Sequence, residues 1–175
     1  MPLGRIDEAI RQLRIAEKSS PLFTFFLADA LADAGRNDEA AEICGRLPTE
    51  YPGKSQCTPG ALVRQGKGTE VIQAYGTGTS PRNSNPVKAA LACAYAHAGR
   101  RDEAEKAAGL SGFYSTVAFM CLGDKDRVFE IFDSNIALGP IRIGWFLLRA
   151  DRENPGLLSG DPRFKALRKK VGLPE

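Results

Sequence analysis

One histidine, one tryptophan, two methionines and four cysteines in 175 residues leave few of the side chains that carry metal or acid–base chemistry. Cys44, Cys57, Cys93 and Cys121 lie far apart, without the CxxC pairs of a zinc site or the density of a small disulfide-built scaffold, and read as reduced thiols of a cytoplasmic protein. No uncharged apolar run reaches the roughly 18 residues of a membrane span. The opening MPLGRIDEAIRQ meets Arg5, Asp7 and Glu8 before the apolar middle of a signal peptide can form. Charge lacks a dominant sign as well. The 24 basic and 21 acidic residues give +3 with no long basic stripe, which speaks against a nucleic-acid binder. A hydrophobic content of 43% is ample for a buried core, so the chain is expected to fold as one domain or one short solenoid.

What the chain does have is a repeat. Gly4-Arg-Ile-Asp-Glu-Ala9, Gly35-Arg-Asn-Asp-Glu-Ala40, Gly99-Arg-Arg-Asp-Glu-Ala104 and Gly123-Asp-Lys-Asp-Arg-Val128 share one pattern, with Gly66-Lys-Gly-Thr-Glu-Val71 as a weaker copy. The glycines stand 31, 31, 33 and 24 residues apart, the length of a two-helix unit with a shortened last step. Glycine tolerates the left-handed backbone that ends a helix, and an Asp or Asn three residues on can cap the next. Ala9, Ala40 and Ala104 allow close helix approach, while Leu27, Leu31, Leu91 and Tyr95 form the apolar stripe of the preceding helix. Pro21, Pro52 and Pro140 each fall 17 residues after a repeat glycine, where a proline starts the next unit.

These residues resemble the tetratricopeptide repeat (TPR) family: Leu27-Ala28, Leu31, Gly35, Ala40 and Pro52 in one unit, Leu91-Ala92, Tyr95, Gly99 and Ala104 in another. The opening segment looks like the second helix of a unit. The stretch from Gly53 to about residue 85 departs most, because Pro59, Gly60, Gly66, Gly68, Gly76 and Gly78 interrupt it; short helices are expected at Ala61–Gln65 and Thr69–Tyr75, with an exposed loop from Gly76 to Pro86. A second resemblance, to segments that end such arrays in bacterial signalling proteins, rests on Leu122-Gly-Asp-Lys-Asp-Arg127, Trp145, Leu157-Leu-Ser-Gly-Asp-Pro-Arg-Phe-Lys-Ala-Leu-Arg168 and Val171-Gly-Leu-Pro174. It departs where Asp151-Arg-Glu-Asn-Pro155 replaces a more apolar stretch. In the last helix Asp161 can cap with Pro162 at the first position, and Phe164, Leu167 and Val171 share a face.

The resemblance implies an all-α, right-handed α-α superhelix, a solenoid of about four helix-turn-helix repeats. Residues 1–140 would form the array, with a degenerate second unit at 53–85, and residues 141–175 the C-terminal cap with its capping helix. The first helix of each unit would line a concave groove. Its register places Leu22, Phe25, Asp29, Ala32 and Asp33 there, then Ala89, Cys93, Ala96, His97, Leu110, Phe113, Val117 and Met120. Such a groove takes an extended or helical peptide, with Asp29 and Asp33 steering a basic partner. The expected role is a non-catalytic protein-interaction or regulatory module in the cytoplasm, with no cofactor, nucleic acid or membrane involved.

Two alternatives stay open: a small-molecule sensor or enzyme with a pocket under residues 57–85, and self-assembly through the apolar segment Ile141-Arg-Ile-Gly-Trp-Phe-Leu-Leu148, whose Trp145 otherwise reads as core. Cys93 and His97, four residues apart on one helix, supply only two ligands. A third would have to come from Cys57, Cys121 or a distant aspartate, so no metal is expected. Gly66-Lys-Gly-Thr69 and Gly76-Thr-Gly-Thr79 lack the order of a phosphate loop. Lys165, Arg168, Lys169 and Lys170 read as a solvated helix end.

Overall fold

The computed structural model of the chain describes residues 5–77, 84–109 and 114–172. Over them run α1 (Ile6–Ala16), α2 (Pro21–Asp33), α3 (Asn37–Arg46), α4 (Pro52–Arg64), α5 (Gly68–Tyr75), α6 (Asn85–His97), α7 (Arg101–Ala108), α8 (Tyr114–Leu122), α9 (Lys125–Ser134), α10 (Pro140–Glu153) and α11 (Pro162–Lys170), with a 3-10 turn at Ile136–Leu138. Among the described residues there is no strand, so the expected all-α class holds. Gly4, Leu110, Phe113 and most of the Gly76–Pro86 loop lie outside the described residues.

One backbone turn recurs four times. Gly35, Gly66, Gly99 and Gly123 have φ of +73°, +78°, +73° and +73°. In the first copy Gly35 N–H donates to Ala32 at 3.0 Å and Arg36 N–H to Leu31 at 2.9 Å, and the same pair of bonds forms at the other three glycines. These bonds satisfy carbonyls that the end of a helix leaves without partners.

The residue right after the glycine is the N-cap: Arg36, Lys67, Arg100 and Asp124. The expected capping by an acid three residues on is therefore corrected. Among these four turns only Asp124 caps with its side chain, accepting from Arg127 N–H at 3.2 Å. Asp38 and Asp102 fall inside the first turn, where they face the positive end of the helix dipole, and Arg36 and Arg100 pair with Glu39 and Glu103.

The second unit is more regular than its glycines suggest. Rather than a short helix at Ala61–Gln65, α4 runs unbroken through Gly53, Pro59 and Gly60. Proline and glycine weaken an isolated helix, but α4 is held by packing on α2, α3, α5 and α6, and tertiary burial outweighs propensity. The buried Pro59 ring sits inside that packing, and Gly53 is needed there, since a Cβ would run into the Tyr51 ring and come within 3.0 Å of Phe25.

The helices pair as hairpins, α2 on α3, α4 on α5, α6 on α7 and α8 on α9. Their first members form a row, α2 on α4, α4 on α6 and α6 on α8, while α3, α5 and α7 each also touch the first member that follows. Pro21, Pro52, Pro86 and Pro140 sit in the opening turns of α2, α4, α6 and α10, where a missing N–H costs nothing. α10 thus occupies the place of a further first helix: it packs on α8 and also reaches back to α2.

Beneath α10 the core gathers Met120, Val128, Phe129, Phe132, Ile143, Phe146, Leu147, Leu158, Leu167 and Val171. Each large side chain there contributes about 1.5–3 kcal/mol on burial. Asp161 caps α11 as expected, accepting from Arg163 N–H at 3.0 Å, and that guanidinium holds the carboxyl well below its usual pKa.

Two glycine substitutions separate the roles of turn and helix. Gly35→Ala puts a Cβ at φ +73° and is expected to cost about 1–2 kcal/mol, whereas Gly45→Ala, exposed inside α3 with nothing within 4 Å, is expected to gain up to about 1 kcal/mol. Urea unfolding of both variants checks the opposite signs.

Candidate functional site

The row of first helices turns one face inward on a common space. Phe25, Ala28 and Asp29 from α2, Cys57, Gly60 and Arg64 from α4, Ala89 and Cys93 from α6, and Tyr114 and Val117 from α8 surround a cavity of about 70 Å³. Arg152 and Glu153, at the end of α10, close it from the far side.

These two residues join a buried ionic cluster. Arg152 Nη1 donates to Asp33 Oδ1 and lies 3.9 Å from Asp29 Oδ1. Its Nε reaches Glu153 Oε1 at 3.4 Å, and Arg64 Nη1 donates to the same oxygen at 3.1 Å. The five side chains are between 7% and 18% exposed, so water screens them little. Burial lowers the Arg64 pKa first and the like charge of Arg152 adds to it, while Glu153 and Asp33 act in the other direction. Arg64 Nε is buried without a hydrogen bond. Just past α10, Asn154 Nδ2 donates to the Met120 carbonyl at 3.0 Å and pins the end of the helix. Burial also raises the pKa of the Tyr114 hydroxyl.

Of the groove residues expected from sequence, Phe25, Asp29, Ala89, Cys93 and Val117 line the cavity and Asp33 belongs to the cluster. Met120 and Ala32 do not face it. Met120 is fully buried among Phe132 and Ile143, and Ala32 is fully buried in the core that α2 forms with its neighbours. His97 is exposed and lies away from the cavity, and Leu22 is 45% exposed.

The acids expected to face a basic partner are already engaged: the chain's own Arg152 contacts Asp29 and Asp33. Sequence reading missed Arg64, Tyr114, Arg152 and Glu153. The signal for the last pair was the polar Asp151–Pro155 stretch, the point at which the resemblance to array-ending segments breaks off.

The reduced-thiol reading is corrected too. Cys44 pairs with Cys57, joining α3 to α4, and Cys93 pairs with Cys121, joining α6 to α8, with Cα atoms 5.8 and 5.1 Å apart. Separations of 13 and 28 residues become contacts only once the hairpins stack, so spacing alone could not reveal the pairs. Disulfides remove the support that free thiols lent to a cytoplasmic placement. What stands is that no described helix is long and apolar enough to cross a membrane.

Trp145 is not core. The register of α10 turns Ile143, Phe146 and Leu147 inward, leaving Trp145 37% exposed, edge-on to Phe146 at 4.8 Å and beside Leu13 and Phe26 in a surface recess. In the C-terminal basic cluster, Lys170 Nζ reaches Asp133 of α9 at 3.4 Å, and Arg168 lies over the Phe164 ring.

Comparison of the chain with protein-family models, with curated proteins and with solved structures finds no match.

Removing one partner from a buried ionic cluster strands the others. Arg152→Ala is expected to lower stability by about 3–5 kcal/mol, and adding Asp29→Asn and Asp33→Asn to restore part of it. Chemical denaturation of the two chains measures this, and a loss below about 1 kcal/mol would mean that water already screens the carboxylates.

Proposed function

We propose that this chain is a non-catalytic interaction module, a TPR-like right-handed superhelix that recognises a partner segment through an arginine side chain. The reading is supported by one observation above all: the first helices share a cavity lined by Asp29, and this acid and the adjoining Asp33 already meet a guanidinium, that of Arg152. The C-terminal segment acts as a built-in ligand. A partner competes for the same acids, and its access is set by how readily Arg152 leaves them. An arginine suits the place because its planar fork can meet two carboxylates at once, which a lysine ammonium does not match.

The cavity favours a single side chain over a whole small molecule. Its volume of about 70 Å³ is far below the roughly 300–1,000 Å³ of pockets that enclose drug-sized ligands. Rigid neighbouring helices would bind a peptide without having to order themselves, which lowers the entropic cost of association.

Self-assembly is a second reading, favoured by the adjacent exposed aromatics Trp145 (37%) and Phe26 (40%). Light scattering over a dilution series tests it. Association that Trp145→Ser abolishes supports it, and a monomer at every concentration ends it.

For the main reading, arrays of arginine-containing peptides are probed with the wild-type full chain and with Arg152→Gln, which keeps most of the side-chain volume and removes the charge. The variant is expected to bind such peptides at least tenfold more tightly, and Asp29→Asn with Asp33→Asn to abolish the gain. If neither chain prefers arginine peptides over neutral ones, the reading is wrong.

A further inference from the structure

We propose that, once the Cys93–Cys121 disulfide is reduced, the two sulfurs and the Glu153 carboxylate form a binding site for a zinc-like divalent cation at the edge of the ionic cluster. This goes beyond peptide recognition and does not depend on it. The Sγ atoms of Cys93 and Cys121 and a carboxylate oxygen of Glu153 all lie within 4.8 Å of one another, the one such group of three His, Cys, Asp or Glu ligands among the described residues. They come from α6, α8 and α10, whose relative positions are set by the packing of the helix row. The sequence had offered His97 as the partner of Cys93, but the exposed His97 lies away from the site. The long-range ligands are the ones the fold delivers.

Ligand chemistry and charge both suit a zinc-like ion. Zinc takes thiolate at about 2.3 Å and carboxylate oxygen at about 2.0–2.2 Å in a tetrahedron, so its two sulfurs stand about 3.8 Å apart, a spacing reached by side-chain rotation on two separate helices. The cluster sets three carboxylates, Asp29, Asp33 and Glu153, against two guanidinium groups, Arg64 and Arg152, and so carries an excess negative charge. A divalent cation with two thiolates is neutral, as a disulfide is. Exchanging one for the other therefore adds no net charge to the buried cluster.

Both arginine bonds to Glu153 fall on Oε1, so they orient the carboxylate while Oε2 stays outside those pairs. Three protein ligands leave a fourth position toward the cavity that Cys93 and Glu153 line, the arrangement of an open rather than a closed zinc site.

The reaction balances with a small thiol as reductant. Its thiolate attacks one sulfur and breaks the S–S bond. A second equivalent then releases the small-molecule disulfide and leaves Cys93 and Cys121 as thiols, and cation binding expels their two protons to solvent.

Cobalt(II) is the probe, because sulfur-to-cobalt charge transfer reports thiolate ligation directly. The full chain is reduced, freed of reductant without oxygen, and titrated. Cys44→Ala with Cys57→Ala removes the other cysteine pair, and this chain is expected to bind one cobalt with the charge-transfer band. The oxidised chain and Cys93→Ala with Cys121→Ala are expected to show no band. Glu153→Gln, which keeps both thiols, is expected to weaken cobalt and zinc binding at least tenfold, with Glu153→Asp falling between.

Circular dichroism follows folding. If the Cys93→Ala, Cys121→Ala chain loses helicity, the Glu153 series on the chain carrying both thiols decides. Absence of the band from the reduced Cys44→Ala, Cys57→Ala chain, or affinity unchanged in Glu153→Gln, would overturn the proposal. The peptide reading is tested on the oxidised chain, so the two can fail separately.

Discussion

The contact of Arg152 with Asp29 and Asp33 sets the character of the whole structure. Without it the first helices would form an open row, with two neighbouring carboxylates of α2 left without the guanidinium that holds them. With it, the far end of the chain returns to the near end: α10 packs on α8 and reaches α2, and Glu153 carries the connection on to Arg64 of α4. Buried charges gain little net stability from being paired and lose much from being separated, so this cluster acts as a constraint on shape more than as a source of stability. Its effect is to tie the acids of α2 to the chain's own Arg152.

That constraint was partly written in the sequence. Asp29 and Asp33 lie a helical turn apart on the face that the repeat register turns inward, and acids placed there need a cation. Asp151-Arg-Glu-Asn-Pro155 sets two acids and an arginine shortly after the apolar Ile141–Leu148 stretch. Each feature was visible alone. Joining them requires knowing that residues 119 positions apart meet, and no local pattern encodes that. The hairpin turns are the opposite case. Gly35, Gly66, Gly99 and Gly123 act through bonds that span five residues, so their spacing was enough to place every junction between first and second helices that they mark.

Where local propensity and tertiary packing disagreed, packing won. α4 contains Gly53, Pro59 and Gly60 and still runs its full length, because four neighbouring helices hold it and Gly53 fills a place that a larger side chain would overfill. The same logic explains Trp145. Its hydrophobicity suggested a core position, but α10 has room for only one inward stripe, and Ile143, Phe146 and Leu147 take it. The cysteines were misread for a third reason. Cys44 is a buried core residue, yet burial says nothing about what a sulfur touches, and Cys57 reaches it only because α4 is a continuous helix.

The ionic cluster and the Cys93–Cys121 bridge meet at Glu153, and that junction links chemistry to shape. With the disulfide closed, Glu153 pairs with Arg64 and Arg152, and Asn154 holds the end of α10 to the Met120 carbonyl. A cation held by Cys93, Cys121 and Glu153 would draw on the same carboxylate that balances the two arginines. Any shift of that carboxylate alters the hold of Arg152 on Asp33, since Arg152 bonds both. Because one carboxylate serves both clusters, a cation held there would change the affinity of the acids for any competing guanidinium, and by the reciprocity of linked equilibria the converse would follow. The route from the thiol pair to Asp33 would then run through two hydrogen-bonded side chains, Glu153 and Arg152.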